Sequence, residues 1–184
     1  AMSTLPIPNT TINITRIEVW LTNRTNSIEN TRNIIAFSDL GEAKAENCEG
    51  NPGTYSALEL PDNDANGLYS WASAQPLVRS FANAVSGLSA QVTAPGPFQQ
   101  AIHYEKVENA RKLTEQEFSY NAQLGFISLN QPLNNDEVLG VAYEYTYRGE
   151  TYQVGEFSTD GIDGQNALLM KLLKPTITNP KNKV

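Results

Sequence analysis

The residues able to do chemistry in this chain are few and scattered. There is one histidine, His103, so no histidine cluster exists to hold zinc. A serine–histidine–acid set would have to use His103, and no Gly-x-Ser-x-Gly turn is present to lift a serine toward it. His103 alternates with Ile102 and Tyr104 and reads as a surface or sheet-edge side chain. The single cysteine, Cys48, lies between Glu46 and Glu49, whose charges disfavour a thiolate; it reads as an incidental loop thiol. One metal-like pattern stands out. Asp62-Asn63-Asp64-Ala65-Asn66-Gly67 opens like a calcium loop, with Asp62, Asp64 and Asn66 as candidate ligands. The twelfth position is Ser73, where a bidentate acid is needed, so the expectation is weak calcium binding or none, with a helix cap from Asp64 or Asn66 as the alternative. The acid pairs Glu115/Glu117 and Asp136/Glu137 suit glycoside hydrolysis only if they face one another across a groove; adjacent acids in turns ordinarily face water. Trp20, Tyr55 and Tyr69 are candidate surface contacts, and with Trp71 they are the aromatics that could stack on a sugar. No phosphate loop or dinucleotide fingerprint is present, and no catalytic residue or cofactor is assigned.

The elements that must position these residues are mostly strands. Phe118–Ser158 reads as a β-meander. Leu139, Val141, Tyr143, Tyr145 and Tyr147 alternate on one face, opposite Val138, Ala142, Glu144, Thr146 and Arg148. Arg148-Gly149-Glu150 offers a tight turn into a returning strand over 151–158. The 137–148 strand is expected to be central, flanked by 125–129 and 151–158, with its second face solvated. Residues 12–22 and 33–40 read as two further strands on either side of a polar turn, which suggests an antiparallel pair. Leu68, Trp71, Val78, Phe81, Val85 and Leu88 form an apolar helical stripe that Pro76 breaks into two pieces and Gly87 ends. Residues 102–107 read as a strand. Thr114 and Glu117 have capping-box spacing. The run Ala167–Lys174, stopped by Pro175, favours a strand. The expected architecture is α+β: an antiparallel sheet, sandwich-like, with an inserted helical segment packed on it. The expected organisation is a lead-in over 1–11, a single module over 12–175 and a tail over 176–184.

Composition narrows the partners. The chain has 184 residues, 18% of them charged, with a net charge of −7. That size supports one domain with a real core. The acidic balance argues against nucleic acid and against anionic lipid. No signal peptide opens the sequence and no stretch reaches membrane-spanning length; Ala1-Met2 reads as a cloning remnant, and the chain as a piece of a larger protein.

Several long runs resemble one family. Asn13-Ile14-Thr15-Arg16-Ile17-Glu18-Val19-Trp20 through Thr31-Arg32-Asn33-Ile34-Ile35-Ala36-Phe37 is similar to a segment of the SprA/Sov family. So are Asn109–Leu113, Leu124–Asn130 onward to Tyr145, Gln153–Ser158 and Leu168–Lys174, so that the resemblance covers most of residues 12–175. These are giant outer-membrane proteins of Bacteroidetes, needed for gliding motility and type IX protein secretion. The resemblance implies a non-catalytic extramembrane structural and interaction module, periplasmic or extracellular at the outer membrane. Its partners would be the remainder of the same protein, other secretion components or cargo, with no direct membrane insertion of this segment. The family brings no catalytic residues. A different reading, from the aromatics alone, is a carbohydrate-binding or adhesive cell-surface module.

Overall fold

The computed structural model describes residues 11–43, 60–91 and 97–177. Eight strands and three short helices follow in the order β1 (Ile12–Leu21), β2 (Thr31–Phe37), α1 (Leu68–Ala74), α2 (Pro76–Arg79), α3 (Ala84–Ser89), β3 (Tyr104–Lys112), β4 (Phe118–Asn121), β5 (Phe126–Leu129), β6 (Leu139–Tyr147), β7 (Glu150–Val154) and β8 (Leu168–Lys174). The fold is mostly β, and it is a closed barrel, not a sandwich with an inserted helical segment. The ring runs β1-β3-β2-β8-β6 and closes through β6 back onto β1, with β7 attached to β6. Every pairing in the ring is antiparallel except β2 with β8. That exception is forced: an odd number of strands cannot alternate direction all the way round.

Alternation places side chains on two sides of the barrel wall. Trp20, Ile34, Ala36, Val107, Ala110, Leu168, Met170 and Leu172 form one buried cluster and fill the barrel. The opposite faces of the same strands send Ile35, Phe37, Tyr104 and Leu169 outward, where α1, α2 and α3 cover them with Leu68, Ala72, Val78, Ala84 and Leu88. Elsewhere on the outer wall, Val19, Leu21, Leu139 and Val141 lie under the separate β4–β5 hairpin. A sandwich forecast fails here because alternation in a strand reports only that two faces differ. It does not say whether the sheet stacks on another sheet or curls upon itself.

Further corrections follow from closure. β1 and β2 do not pair with each other; β3 lies between them. β6 is central, and β7 is its neighbour as expected, joined through Arg148 and Gly149, both at positive φ. Its other neighbours are β1 and β8, however, while β5 pairs with β4. The second face of β6 is not solvated at its start, where Val138 and Ala142 are as buried as Val141. The helical stripe forms three pieces. Pro76 opens α2 as its first residue, where its missing N–H costs nothing. Gly87 does not end a helix but lies inside α3. A Cβ there would sit 2.9 Å from the Leu77 Cβ, so the residue permits α2 and α3 to touch. Residues 168–174 are a strand, and both faces of its first half are buried, which explains an apolar run without alternation.

Candidate functional site

An open cleft of about 380 Å³ is lined by Asp62, Asn63, Asp64, Tyr69, Glu144, Thr151, Tyr152 and Gln153. It forms where the segment before α1 lies along the outer edge of β7. Asn63 N–H donates to the Gln153 carbonyl (2.8 Å), and Gly155 N–H donates to the Asn63 side-chain oxygen (2.8 Å). Gln153 N–H donates to Asp62 Oδ1 (3.0 Å), and Tyr145 OH donates to the Pro61 carbonyl (2.6 Å). The residues singled out as a calcium loop therefore serve as an edge cover. Asp62 is engaged by a main-chain amide. The Asn66 amide donates to the Asp39 and Glu42 carbonyls (both 2.9 Å) and accepts from Leu68 N–H (3.1 Å), so it ties the start of α1 to the chain after β2. Among the described residues, no group of three or more His, Cys, Asp or Glu is placed to hold a metal.

The cleft is rich in acceptors and has no basic side chain among its lining residues. Glu144 accepts from the Thr15 hydroxyl (2.6 Å). Tyr152 stacks on Tyr145 with ring centroids 5.2 Å apart. Tyr69 lines the cleft but turns its hydroxyl inward to Glu156 Oε1 (3.0 Å); burial and the Glu156 charge push its pKa up to about 12. This arrangement can hydrogen-bond a polar ligand through the carboxylates Asp62, Asp64 and Glu144 and the side chains of Thr151, Tyr152 and Gln153.

The cluster closest to catalytic chemistry lies elsewhere. Glu18 is 4% exposed and accepts from Lys112 Nζ (2.7 Å), the Ser158 hydroxyl (2.9 Å) and Ser158 N–H (2.9 Å). Lys112 Nζ also approaches the Ser158 oxygen at 3.3 Å. A serine–lysine pair works as nucleophile and base only when the lysine is neutral. Here Lys112 Nζ is taken up in an ion pair with the Glu18 carboxylate, 2.7 Å away. Burial pushes the Glu18 carboxyl up, but the bonds from Lys112 and Ser158 and the Lys112 charge together hold it below its ordinary value. The trio is an ion-paired tie between β1, β3 and the turn after β7. A second buried tie joins the helices to the barrel. Arg79 of α2 reaches both Glu156 oxygens, at 2.7 and 2.5 Å, and Glu156 also accepts from Leu169 N–H (2.9 Å).

The other sequence candidates are dispersed. Trp20 cannot present a surface: it is 1% exposed, inside the barrel, because it occupies the inward register of β1 opposite Gly140. Trp71 stacks on Phe98 in the layer over the helical face. His103 accepts from Gln99 N–H through Nδ1 (3.0 Å) and fixes the turn before β3. Glu117 is bound by Arg111 (2.7 Å) and reaches back to Thr114 N–H (2.9 Å), as capping-box spacing foretells. Asp136 and Glu137 meet Arg24, and Glu137 also caps the Asn134 amide (2.7 Å). Neither acid pair is among the residues that line the cleft. Cys48 and Tyr55 lie outside the described residues. Sequence reasoning missed Glu156, Arg79, Glu144, Gln153 and Tyr152. The available signal was Glu156 itself, an acid within the otherwise uncharged run Val154-Gly155-Glu156-Phe157.

No protein-family model matches the chain, and no curated protein matches it.

Proposed function

We propose that the chain is a non-catalytic extramembrane structural and interaction module of a SprA/Sov-like outer-membrane translocon serving type IX secretion and gliding motility. The observation that carries this reading is the set of long, compositionally unusual runs from Asn13 to Lys174 that resemble that family. The chemistry supports the non-catalytic part. The buried acids Glu18, Glu105 and Glu156 each accept hydrogen bonds that hold one segment to another, and Glu137 caps its own turn at Asn134. The barrel interior is occupied by side chains, which supports a module that spaces or docks over one that conducts. Its setting is the periplasmic or outer face of the outer membrane, and its partners are the remainder of the protein, other secretion components or cargo.

The test is deletion and crosslinking in the full-length protein. Removing residues 12–175 is expected to abolish secretion. Photo-crosslinkers at the exposed positions Asn26 and Asn135 are expected to capture secretion components or cargo. Normal secretion after the deletion, with no adduct at either position, overturns the proposal.

A further inference from the structure

Among the described residues, one sheet edge is protected and another is left open. The outer edge of β7 is covered by Asp62 and Asn63, which take up the main-chain groups of Gln153 and the amide of Gly155. Among the described residues, the β4–β5 hairpin has no such cover on β5. Among the described residues β5 pairs with β4 alone, over Phe126 to Leu129 and without a bulge. Asn130 N–H donates to the Glu117 carbonyl. Hydrogen-bonded pairs alternate in an antiparallel ladder, so Ser128 and Phe126 direct their main-chain groups to β4, whereas Ile127 and Leu129 direct theirs away from it.

Natural edge strands are normally guarded by lysine, proline, a bulge or a covering segment. β5 has none of the first three in its own sequence. The whole stretch between Glu117 and Asp136 contains no charged residue, in a chain of net charge −7. Beside the open edge stand exposed apolar groups: Leu124 is 48% and Phe126 52% exposed, and Tyr120 on the paired strand is 41% exposed. Uncharged, aromatic-rich patches of this kind are the composition of interface cores.

We infer that β5 is a strand-acceptor edge, on which an extended, uncharged segment of another protein adds as a third strand through the main-chain groups of Ile127 and Leu129. Its alternate side chains would pack against Phe126 and Leu124. The free edge specifies the occupant's conformation, and the absence of charge specifies its composition. A second copy of this chain is disfavoured by the like charge of −7 on each. The same charge disfavours an anionic lipid surface. The inference is independent of the translocon proposal, since it concerns the isolated chain.

The experiment selects binders from a displayed library of short linear peptides on the purified full chain. The selected peptides are then synthesised and titrated against variants. Expected are uncharged sequences with alternating apolar residues, binding more tightly than about 100 µM. Ile127→Pro removes an outward N–H, and Ser128→Lys places a charge at the exposed edge while keeping the backbone; each is expected to weaken binding by about tenfold or more. Thermal melting checks that both variants fold, and the lysine variant carries the test if the proline variant does not. On binding, the Ile127 and Leu129 amides are expected to gain protection from hydrogen exchange. No selected peptide, or peptides indifferent to both variants, overturns the inference. So do basic peptides lost with Asp64→Asn, a dimer in sedimentation that Ser128→Lys dissolves, or flotation with phosphatidylglycerol vesicles that Phe126→Ser abolishes.

Discussion

At the scale of single residues, the two buried ion-paired clusters are where substitutions should tell most. Arg79 and Glu156 are 14% and 2% exposed at their side chains, and they meet through two hydrogen bonds. Removing one charge strands the other in a site with little water. Glu156→Gln is expected to cost about 3–5 kcal/mol in urea unfolding, and Arg79→Met a similar amount. The double variant should lose clearly less than the sum, because no uncompensated charge remains. Strict additivity would show that the pair does not act as a pair. Glu18 gives a pH signature. Its carboxyl is held below the ordinary value of 4.5, so the ionised form is favoured by folding. That contribution is complete above pH 4.5 and fades as the pH falls through the lower folded value. Glu18→Gln should therefore be less stable than the parent at neutral pH by about 1–3 kcal/mol, with the gap closing in acid. A gap that is constant with pH would assign Glu18 a packing role only.

Elements depend on close approaches that the side-chain pattern does not announce. Trp20 fills the barrel because the residue directly across from it on β6 is Gly140, with Ala36 nearby. A Cβ on Gly140 would already stand 3.3 Å from Ile34 Cδ1. Gly140→Val is expected to overpack this site and cost about 1–3 kcal/mol by thermal or urea unfolding. Thr146→Val, on the same strand at a half-buried position, should change stability by no more than about 0.5 kcal/mol. Equal effects would mean that the barrel interior yields as easily as its rim. The same logic explains α2 and α3: Gly87 is kept small by Leu77, so a residue that looks like a helix stop is instead a helix contact.

For the whole molecule, stability is set by closure of the barrel and by the tyrosines around β6. Burial pushes Tyr143 up, with further contributions from Tyr145, Glu42 and Asp62, and burial with the Asp62 charge does the same for Tyr145; Tyr69 reaches about 12. For a phenol, a raised folded value means that folding favours the neutral form. The stabilisation is present below the ordinary value of 10.0 and is lost as the pH rises through the folded values. The protein should therefore unfold cooperatively in alkali, with phenolate absorbance appearing together with the loss of circular dichroism. Phenolate signal from all the tyrosines well before unfolding would contradict this burial. Closure also predicts that β8, with β2 on one side and β6 on the other, holds the slowest-exchanging amides.

Where the signal was local, the sequence sufficed to say what a segment would be. The alternation of Leu139, Val141, Tyr143 and Tyr145 fixed a strand, Arg148-Gly149 fixed its turn, and Thr114 and Glu117 fixed their mutual bond, because each depends on neighbours a few residues away. It also allowed the strand at Leu168–Lys174, since a short apolar run ended by proline fits a strand buried on both faces. Only tertiary structure decided that β3 enters between β1 and β2, that β5 leaves the main sheet, and that the sheet closes. Those outcomes rest on contacts between residues far apart in the chain, such as Ile35 with Lys106 and Trp20 with Gly140. Both a sandwich and a barrel satisfy the same alternation, and what separates them is whether the two outer strands find each other's main-chain groups. The candidate sites divided in the same way. Asp62 and Asn66 are loop-like in sequence, yet their oxygens were taken by Gln153 and Leu68 once the chain folded. Glu156 and Arg79 became partners only because both their backbones bond to the start of β8, Glu156 N–H donating to the Leu169 carbonyl and Ala167 N–H donating to the Arg79 carbonyl.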